Sequence, residues 1–476
     1  MPKIALIEPR SPNLHIFSKF PSPRLGTVLL GTIMKQRGWD VELFVEDFRA
    51  LDFGVIGSAD IVGISTITST APRAYAIAGR VREMGIPVLF GGPHVTFLPG
   101  ESLEHGDYVL RGEAEETLPA FLEAWRTEAD LSEIPGLSFR RGGEAVHNPR
   151  SAPPRNLDAF PYADFDLLKP DRRWRGKKMV LPVQTSRGCP FDCTFCSVTG
   201  MFGKAYRFRS TEHILGELRL HADRNRNLFF YDDNFAAHKP RTRELLEAMI
   251  REGFKFRWTT QVRADVARDP DLVRLMKKAG GHTVCIGFES VNPRSLQESH
   301  KAQSVAELDR AVRVFRRNRI HIHGMFVFGF DQDDRGTFRE TVKWARKSRL
   351  TSSQFLILTP LPGSAFYKKV MEEERIAFKD WSLYDAHHAV FRPRRLSLAE
   401  LQKAQIAGHR RFYSLKEQVR NVLEGRWLAI AINQYARALN RTWQKKNRTF
   451  LKALDLLRPR RGSRVWVDYR QDVGLD

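Results

Sequence analysis

Short apolar runs alternate with helical periodicity along the first 110 residues of the chain. Residues 3–8 form an apolar run typical of a buried strand, and residues 25–37 place apolar side chains at helical spacing before Gly38 stops the helix. Further strand-like runs lie at 41–45, 61–64 and 87–90, with a helical stretch at 71–84. Alternating strands and helices predict a parallel sheet covered on both faces, with ligands bound beyond the carboxyl ends of its strands.

The same alternation begins again near residue 180. Strand-like runs lie near 180–186, 227–232, 256–261, 283–288, 320–328 and 352–358. Helical stretches lie between them, near 211–224, 241–252, 270–279, 304–318 and 334–349. The pattern predicts six strand–helix units, and in barrels built from such units active sites lie at the C-terminal ends of the strands.

The remaining segments differ in character. Residues 136–148 are typical of a hairpin that turns at Arg141-Gly142-Gly143, whereas 148–175 is rich in Pro, Asp and Arg and shows little periodicity. Beyond residue 391 the pattern becomes helical, at 396–423 and 427–457. We therefore expect four segments, namely a Rossmann-like α/β domain at 1–140, a linker at 141–175, a second α/β domain at 176–390 and a basic helical domain at 391–476.

Composition narrows the class of protein. A chain of 476 residues with 42% hydrophobic content is long enough for two or three domains with sizeable cores. No apolar run approaches the roughly 18 residues of a membrane span, and the first residues lack the features of a signal peptide. Because four cysteines also fit a reducing compartment, we expect a globular, cytoplasmic protein.

Positive charge is concentrated near the end of the chain. The formal charge is +22, and residues 392–476 hold 20 Lys and Arg against 7 Asp and Glu, or +13. Such a tail can attract nucleic acid, an anionic membrane or an acidic partner, but many charge runs are only solvated faces. The aromatic residues Trp427, Tyr435 and Trp443 lie among these basic residues, which favours membrane contact or a lipid-like substrate over nucleic acid, although burial explains them equally well.

Three of the four cysteines lie on one short stretch. Cys189, Cys193 and Cys196 have the spacing Cys-x3-Cys-x2-Cys. Zinc usually takes four ligands from two separated pairs, whereas three thiolates on one tight loop suit a cubane iron-sulfur cluster that leaves one iron open. A disulfide interpretation is weak, because only Cys285 remains as a partner and lies in a predicted apolar strand, where we expect a core residue.

This loop resembles the signature of the radical S-adenosylmethionine (SAM) superfamily, in which an aromatic residue, here Phe195, precedes the last cysteine. The resemblance implies a 4Fe-4S cluster ligated by Cys189, Cys193 and Cys196, with the amino and carboxylate groups of SAM on the fourth iron. One electron from the cluster would cleave SAM to a 5′-deoxyadenosyl radical. The six strand–helix units then match the partial (β/α)6 TIM barrel of that superfamily.

Polar residues follow several of the predicted barrel strands. By resemblance, the end of the second strand contacts the methionine part of SAM, the turn at 287–290 contacts its ribose, and chemistry favours an arginine for the methionine carboxylate. The alternative is that these residues only cap helices or form structural ion pairs. The candidate SAM contacts are Phe195, Asp232, Asp233, Asn234, Arg263, Glu289 and Ser290.

Two motifs in the first domain point to a second cofactor. Gly91-Gly92-Pro93-His94 follows a predicted strand, and the segment 112–117 is expected to open a helix with carboxylates in its first turn. Each alone is weak, since such residues are often only a tight turn or a cap. Together, their order resembles the N-terminal cobalamin-binding domain of many radical SAM proteins, over roughly 1–140. The candidate cobalamin contacts are Ser65, Thr66, Gly91, Gly92, His94 and Glu113.

One departure from other cobalamin proteins concerns the cobalt ligand. The Asp-x-His-x-x-Gly motif is missing, and the nearest string, 385–390, ends in Val and lies in the wrong domain. Related radical SAM proteins often lack that histidine, so the resemblance implies cobalamin without a protein histidine on cobalt.

The resemblance implies a cobalamin-dependent radical SAM enzyme of the class B methyltransferase type. The leading hypothesis is methylation of an unactivated carbon of a small or lipid-like substrate, with a reducing partner such as ferredoxin or flavodoxin and peripheral membrane contact. The alternatives are cyclisation, oxidation or rearrangement without methyl transfer, and a nucleic-acid-binding cobalamin or iron-sulfur sensor. tRNA methylthiolation is disfavoured, because no cysteine precedes Cys189 to hold a second cluster.

Overall fold

The computed structural model describes residues 1–13, 22–174, 179–222 and 227–456. The end of the predicted basic tail (457–476), the junction at 175–178 and the end of the helix expected at 211–224 lie outside the described residues.

The first part of the chain forms a seven-stranded sheet with helices on both faces. Its elements are β1 (Lys3–Glu8), α1 (Leu25–Gln36), β2 (Asp40–Val45), α2 (Phe53–Ile56), β3 (Ile61–Ser65), α3 (Ala71–Glu83), β4 (Val88–Gly91), α4 (Pro93–Phe97), α5 (Pro99–Ser102), β5 (Tyr108–Leu110), α6 (Thr117–Arg126), β6 (Leu137–Arg141) and β7 (Glu144–His147). The strand order is β2-β1-β3-β4-β5-β6-β7, and β1 to β5 are parallel. The sequence predicted the first four strands correctly, because each is a short apolar run that the sheet buries.

Strand order determines where this sheet binds ligands. The chain reverses direction across the sheet between β1 and β3, and such switch points leave a crevice beyond the strand ends. The predicted hairpin is confirmed as β6 and β7, which continue the same sheet in antiparallel fashion. The sheet therefore extends to His147, inside the linker expected at 141–175 but before the Pro-, Asp- and Arg-rich stretch at 148–175.

The second part forms a six-stranded parallel sheet, which confirms the predicted strand–helix alternation. Its strand order is β15-β14-β13-β12-β11-β8, the order of an open barrel in which successive strands are neighbours. The first strand is shorter than expected, because residues 186–187 leave the sheet to pair with 207–208. The elements are β8 (Leu181–Val183), β9 (Ser186–Arg187), α7 (Val198–Phe202), β10 (Arg207–Phe208), α8 (Thr211–His221), β11 (Asn227–Phe230), α9 (Lys239–Arg251), β12 (Arg257–Val262), α10 (Pro270–Lys278), β13 (Gly281–Glu289), α11 (Pro293–Glu298), α12 (Val305–Arg317), β14 (His321–Phe328), α13 (Arg335–Lys347), β15 (Ser352–Ile357) and α14 (Ala365–Glu372).

The C-terminal helices cover one edge of this open barrel. They are α15 (Leu398–Phe412), α16 (Leu415–Leu423), α17 (Trp427–Lys446) and α18 (Arg448–Leu456). The hydroxyl of Tyr413 accepts from the backbone N–H of Ser353 at 2.8 Å and donates to its carbonyl at 2.7 Å, while His409 Nε2 accepts from the N–H of Phe355 at 3.3 Å. These side chains satisfy the free backbone groups of edge strand β15, so the predicted helical region completes the barrel.

In the described ranges, none of the helices combines the length and apolarity that crossing a membrane requires.

Candidate cofactor and active site

A large cavity lies where the two sheets face each other. It encloses about 1190 Å³ of space, part of it open to solvent. One wall comes from the first turns of α1, from the ends of β3 and β4 with the turns that follow them, and from residues 112–115. The opposite wall comes from the segment that carries the cysteines. The barrel side contributes Gln184, Arg187, Met201, Phe202 and Tyr231.

The turn at Gly92 shows why this wall needs glycine. Gly92 has φ +98°, and a Cβ there would lie 2.4 Å from the carbonyl oxygen of Thr66. The same two turns are joined by hydrogen bonds, because the N–H and hydroxyl of Thr66 donate to the Gly91 carbonyl at 2.8 and 3.0 Å. The ends of β3 and β4 are thereby held together as one smooth surface, which suits the close approach of a large planar ligand.

The predicted cobalamin contacts divide into two groups. Ser65, Gly91, Gly92 and Glu113 line the cavity, whereas Thr66 is buried behind it. The side chain of His94 is also absent from the lining.

His94 instead joins the two halves of the molecule. Its imidazole is fully buried, with Nε2 3.2 Å from the hydroxyl of Tyr75 and 3.5 Å from a carboxylate oxygen of Glu101. Trp381, from the segment after the barrel, packs edge-on against the ring at 5.1 Å and donates its indole N–H to Glu101 at 2.8 Å. His94 therefore supports the position of the Gly-Gly turn relative to the barrel.

The segment 112–116 does not open a helix as expected, because α6 begins only at Thr117. The Glu113 carboxylate instead accepts from Arg187 at 2.6 Å and from Arg207 at 2.5 Å, and Glu115 accepts from Arg187 at 2.6 Å. Burial alone would lower the pKa of Arg187, but the carboxylates of Glu115 and Glu113 raise it. A buried ion-pair network therefore connects the first domain to the residues just before Cys189.

Sequence reasoning missed Arg187 and Arg207. The available signal was charge complementarity, since two glutamates at the edge of one predicted sheet needed cations and an arginine directly preceded the cysteine loop.

The three cysteines of the loop are free thiols of intermediate exposure. Burial raises the pKa of Cys189, and raises that of Cys196 to about 11. In the described part of the chain no three His, Cys, Asp or Glu side chains converge on a single ion, whereas a cubane cluster gives each cysteine its own iron. Three thiols on one loop without a fourth protein ligand suit a 4Fe-4S cluster with one open iron.

Arg263 brings a cation to this loop. Its Nη1 lies 3.7 Å from the Cys193 sulfur, and its guanidinium lies 3.7 Å above the Phe191 ring. Nη2 donates to the carbonyl of Lys301, and the nearest carboxylate, of Asp265, is 3.9 Å from Nε. A buried guanidinium whose one ion pair among the described residues is this long is well placed to compensate negative charge on a cluster.

The three predicted residues after β11 have different surroundings. Asp232 is fully buried and accepts from the N–H groups of Thr185 at 2.6 Å and Ser186 at 3.1 Å, so its role is to shape the start of the cysteine loop. The carbonyl of the buried Asn234 accepts from Tyr206 at 3.2 Å. Burial, followed by the charge of Asp232, raises the pKa of Asp233 to about 7, and its charge acts on the cysteine thiols. Asp233 is therefore the best placed of the three to face a ligand at the cluster.

The remaining predicted SAM contacts are Glu289 and Ser290 at the end of β13 and Phe195 in the cysteine loop. Glu289 has φ +59°, an uncommon conformation for a residue with a side chain, and its carboxylate accepts from the buried Lys301 ammonium at 2.8 Å. Ser290 accepts from the N–H of Asn292 at 3.0 Å, and Phe195 packs edge-on against Phe330 at 6.0 Å. Lys301 is a third cation that sequence reasoning missed, after Arg187 and Arg207.

Two family models match the chain. A model described as Radical SAM superfamily matches residues 183–345, and one described as B12 binding domain matches residues 18–122.

Curated relatives match along most of the chain. An uncharacterised methyltransferase of Pyrococcus horikoshii is 30% identical over 404 residues, covering 82% of this chain and 88% of the other. The bacteriochlorophyllide d C-12(1)-methyltransferase of Chlorobaculum tepidum is 28% identical (86% and 87% covered), and the hopanoid C-3 methylase of Methylococcus capsulatus is 29% identical (81% and 78% covered). An anaerobic magnesium-protoporphyrin IX monomethyl ester cyclase of Cereibacter sphaeroides is 28% identical, covering 75% of this chain and 60% of the other.

Solved structures share the fold. The radical SAM methyltransferase TsrM of Kitasatospora setae, with cobalamin and a 4Fe-4S cluster bound, matches with a TM-score of 0.69 at 19% identity, covering 78% of each chain. The cobalamin-dependent radical SAM enzyme OxsB, with aqua-cobalamin and SAM bound, matches with a TM-score of 0.69 at 17% identity, covering 96% of this chain and 75% of the other.

Proposed function

The chain belongs to the family of cobalamin-dependent radical SAM enzymes that resemble methyltransferases, and we propose that it methylates an unactivated carbon of a small, apolar or lipid-like substrate. The cofactors of this family are a 4Fe-4S cluster, SAM and cobalamin. We assign cobalamin to residues 1–140 and the cluster and SAM to residues 176–390, joined by 141–175 and followed by the helical region 391–476.

One observation carries the proposal. The cavity lined by Gly91 and Gly92 is closed on its other side by Met201 and Phe202, which follow Cys196 by only five and six residues. A corrin on the glycine turns and a cluster on the cysteine loop would therefore face the same space. Methyl transfer needs such an arrangement, because the reacting carbon must meet both cofactors.

The residues of the chain supply binding, positioning and exclusion of water. When bound, the cluster and SAM supply a radical that removes hydrogen from carbon, and cobalamin supplies the methyl group. Cys189, Cys193 and Cys196 would hold the cluster, and Arg263 would balance its charge.

We also assign residues to the SAM and cobalamin sites. Asp233 and Glu289 have the acceptor chemistry for the ammonium and ribose of SAM, with Phe195, Asp232, Asn234 and Ser290 shaping that pocket. The first domain offers Ser65, Gly91, Gly92 and Glu113 directly to cobalamin, with Thr66 and His94 supporting them. No histidine in the described lining is placed to ligate cobalt.

Apolar side chains around the cavity support the substrate class. Leu25, Leu29 and Ile67 line it beside Met201 and Phe202, a surface suited to an apolar skeleton. The curated names of two relatives, a hopanoid methylase and a bacteriochlorophyllide methyltransferase, indicate the same kind of molecule.

The proposal includes an electron donor and a location. A ferredoxin or flavodoxin would reduce the cluster, and free thiols together with an oxygen-sensitive cluster favour the cytoplasm. The basic C-terminal helices would make a peripheral membrane contact.

Anaerobic reconstitution tests the proposal. The protein is loaded with iron, sulfide and hydroxocobalamin, then given methyl-deuterated SAM, a reductant and either a hopanoid-type lipid or a bacteriochlorophyllide-type tetrapyrrole. We expect 5′-deoxyadenosine and a product heavier by one labelled methyl group, detected by mass spectrometry. An unlabelled cyclised or dehydrogenated product would instead support the alternative reactions.

The cluster ligands have a matched control within the chain. Replacing Cys189, Cys193 and Cys196 together by Ala should abolish bound iron and SAM cleavage, whereas Cys285→Ala should leave both intact. Cys285 is buried in β13, as expected for a core residue, and burial raises its pKa to about 12. A full iron content in the triple variant, measured by colorimetric assay, would contradict the assignment.

A further inference from the structure

Helix α16 presents its apolar residues to solvent. Leu415, Val419, Val422 and Leu423 lie on one helical face, since they are separated by four, three and one residues, and all are exposed. Leu423 is 82% exposed, and Trp427 at the start of the next helix is 75% exposed. We call these five residues the α16 face.

The opposite side of α16 is polar and buried. The Glu417 carboxylate accepts from Arg346, in the last turn of α13, at 2.7 Å and lies 3.5 Å from Arg349, just after that helix. The buried Asn421 accepts from Arg426 at 3.2 Å. A surface helix normally buries its apolar stripe, so this helix has the reverse orientation, and its buried ion pairs fix that orientation.

The α16 face is also the densest exposed apolar surface in the described chain. The remaining large exposed hydrophobic residues, such as Ile67, Met84 and Met371, are scattered over other elements. Single exposed apolar residues are ordinary, but a contiguous patch on a monomer usually marks an interaction surface.

The segment that carries this patch is rich in positive charge. Residues 410–427 contain five Lys and Arg and two Glu, and both glutamates are paired, Glu417 as described and Glu424 with Arg349 and Arg420. Burial, followed by the nearby charges of Arg426 and Arg420, lowers the pKa of Arg349 to about 10. Apolar side chains with a cationic rim are the composition of helices that lie at anionic membrane surfaces.

We propose that the α16 face docks the enzyme on an anionic lipid bilayer, with Leu423 and Trp427 entering the interfacial layer and Lys416 and Arg420 at the headgroups. A second copy of this chain is a poor occupant, because it would bring two like-charged rims together on a chain of net charge +22. The surface lies near Arg349 and Leu350, whose carbonyls accept from Arg426 before β15 begins. That end of the barrel is opposite the cysteine loop, so docking would leave the cavity clear.

The test uses the full-length, cluster-loaded protein and vesicles. Phosphatidylcholine vesicles with and without phosphatidylglycerol are sedimented with the protein at low and moderate salt. We expect binding only to the anionic vesicles, weakening with salt, and a loss of about tenfold in affinity for the variant Leu423→Gln/Trp427→Gln. The matched control Met84→Gln/Met371→Gln removes exposed apolar side chains elsewhere and should bind like the wild type.

Other occupants give distinguishable results. If the wild type ignores anionic vesicles at low salt, or if the Leu423→Gln/Trp427→Gln variant binds as tightly as the wild type, the proposal is wrong. A wild-type dimer that this variant dissociates, or RNA binding in place of vesicle binding, also overturns it. SAM cleavage is measured in parallel, and because the α16 face does not contact the cavity, a failure of vesicle binding is distinct from a failure of the proposed reaction.

Discussion

Two adjacent glycines in the cavity wall differ in what they would tolerate. Gly92 has φ +98° and a neighbouring backbone 2.4 Å from any added Cβ, whereas a Cβ at Gly91 would meet nothing within 4 Å. We expect Gly92→Ala to cost about 2–3 kcal/mol of unfolding free energy and to reduce bound cobalamin, because left-handed backbone and a backbone clash combine. Gly91→Ala should change stability by less than about 0.5 kcal/mol. Urea unfolding and cobalamin absorbance check both, and equal behaviour of the two variants would contradict the explanation.

Arg263 is expected to tune the cluster electrostatically. Removing a cation 3.7 Å from the Cys193 sulfur should favour the oxidised cluster, so Arg263→Met should make the midpoint potential more negative by on the order of tens of millivolts. Arg263→Lys, which keeps the charge, should restore most of the potential. An EPR-monitored redox titration measures it. Arg268→Met, which removes an exposed arginine paired with Glu307, is the control and should leave the potential unchanged.

Individual residues were predictable where the signal was local. The spacing of Cys189, Cys193 and Cys196 predicts a cluster loop, because all three candidate ligands lie within eight residues. Lys301 and Arg187 could not be found in this way, since their carboxylate partners, Glu289 and Glu113, lie 12 and 74 residues away. His94 was expected at the cavity for a related reason: sequence places it after a strand but does not tell which way its side chain points.

Secondary-structure elements were also predictable where the sequence signal was local, and not where distant side chains decide the structure. The buried strands were predicted within a few residues, because apolar runs are buried wherever the sheet places them. The expected helix start at 112–117 was wrong, because Glu113 and Glu115 satisfy arginines of the barrel and do not cap α6. The single helical stretch expected at 396–423 is two helices, since Ser414 starts a new one by accepting from the N–H of Glu417.

A buried ion pair attaches the last helices to the barrel, and the stability that it gives the folded protein should depend on pH. The His388 imidazole lies 2.9 Å from Asp385, and its other nitrogen lies 2.9 Å from Asn447, between α17 and α18. Burial acts against both charges, but the pairing prevails, so the pKa of His388 is raised above 6.5 and that of Asp385 is lowered below 3.8.

The sign of the effect follows from these two directions. A raised histidine pKa gives stability that is complete below about pH 6.5 and is lost as pH rises through the folded-state pKa, while a lowered aspartate pKa gives stability that is lost in acid. The free energy of unfolding of the wild type should therefore exceed that of the variant Asp385→Asn/His388→Gln by the largest amount between about pH 4 and 6.5. Denaturant unfolding from pH 5 to about 9 checks this. A difference that grows towards high pH would contradict it, and Lys403→Gln, which breaks an exposed pair with Asp455, should show no such trend.

At the level of the assembled chain, sequence predicted the two α/β units but not how they meet. Their junction is built from side chains that are far apart in sequence, including Glu113 with Arg187 and Glu101 with Trp381. The spacing of the two proposed cofactor sites would depend on this junction, whereas the core of each unit is built from its own buried residues. The junction is therefore where distant substitutions should alter the coupling of the two proposed cofactor reactions.

The Glu113–Glu115–Arg187 network can be used to test whether the junction couples the two proposed cofactor reactions. The variant Glu113→Gln/Glu115→Gln leaves the buried Arg187 without a counter-charge, and losing one side of such a buried pair typically costs about 3–5 kcal/mol. The cysteines are untouched, so iron content should stay close to wild type while bound cobalamin falls. SAM cleavage should continue with less methylated product for each 5′-deoxyadenosine, because the two halves of the cavity would no longer be held at a fixed distance. Asp130→Asn, which breaks an exposed pair with Arg141, is the control and should leave both stability and that ratio essentially unchanged. If the double variant retains cobalamin and the wild-type ratio, the network stabilises the fold without positioning the cofactors.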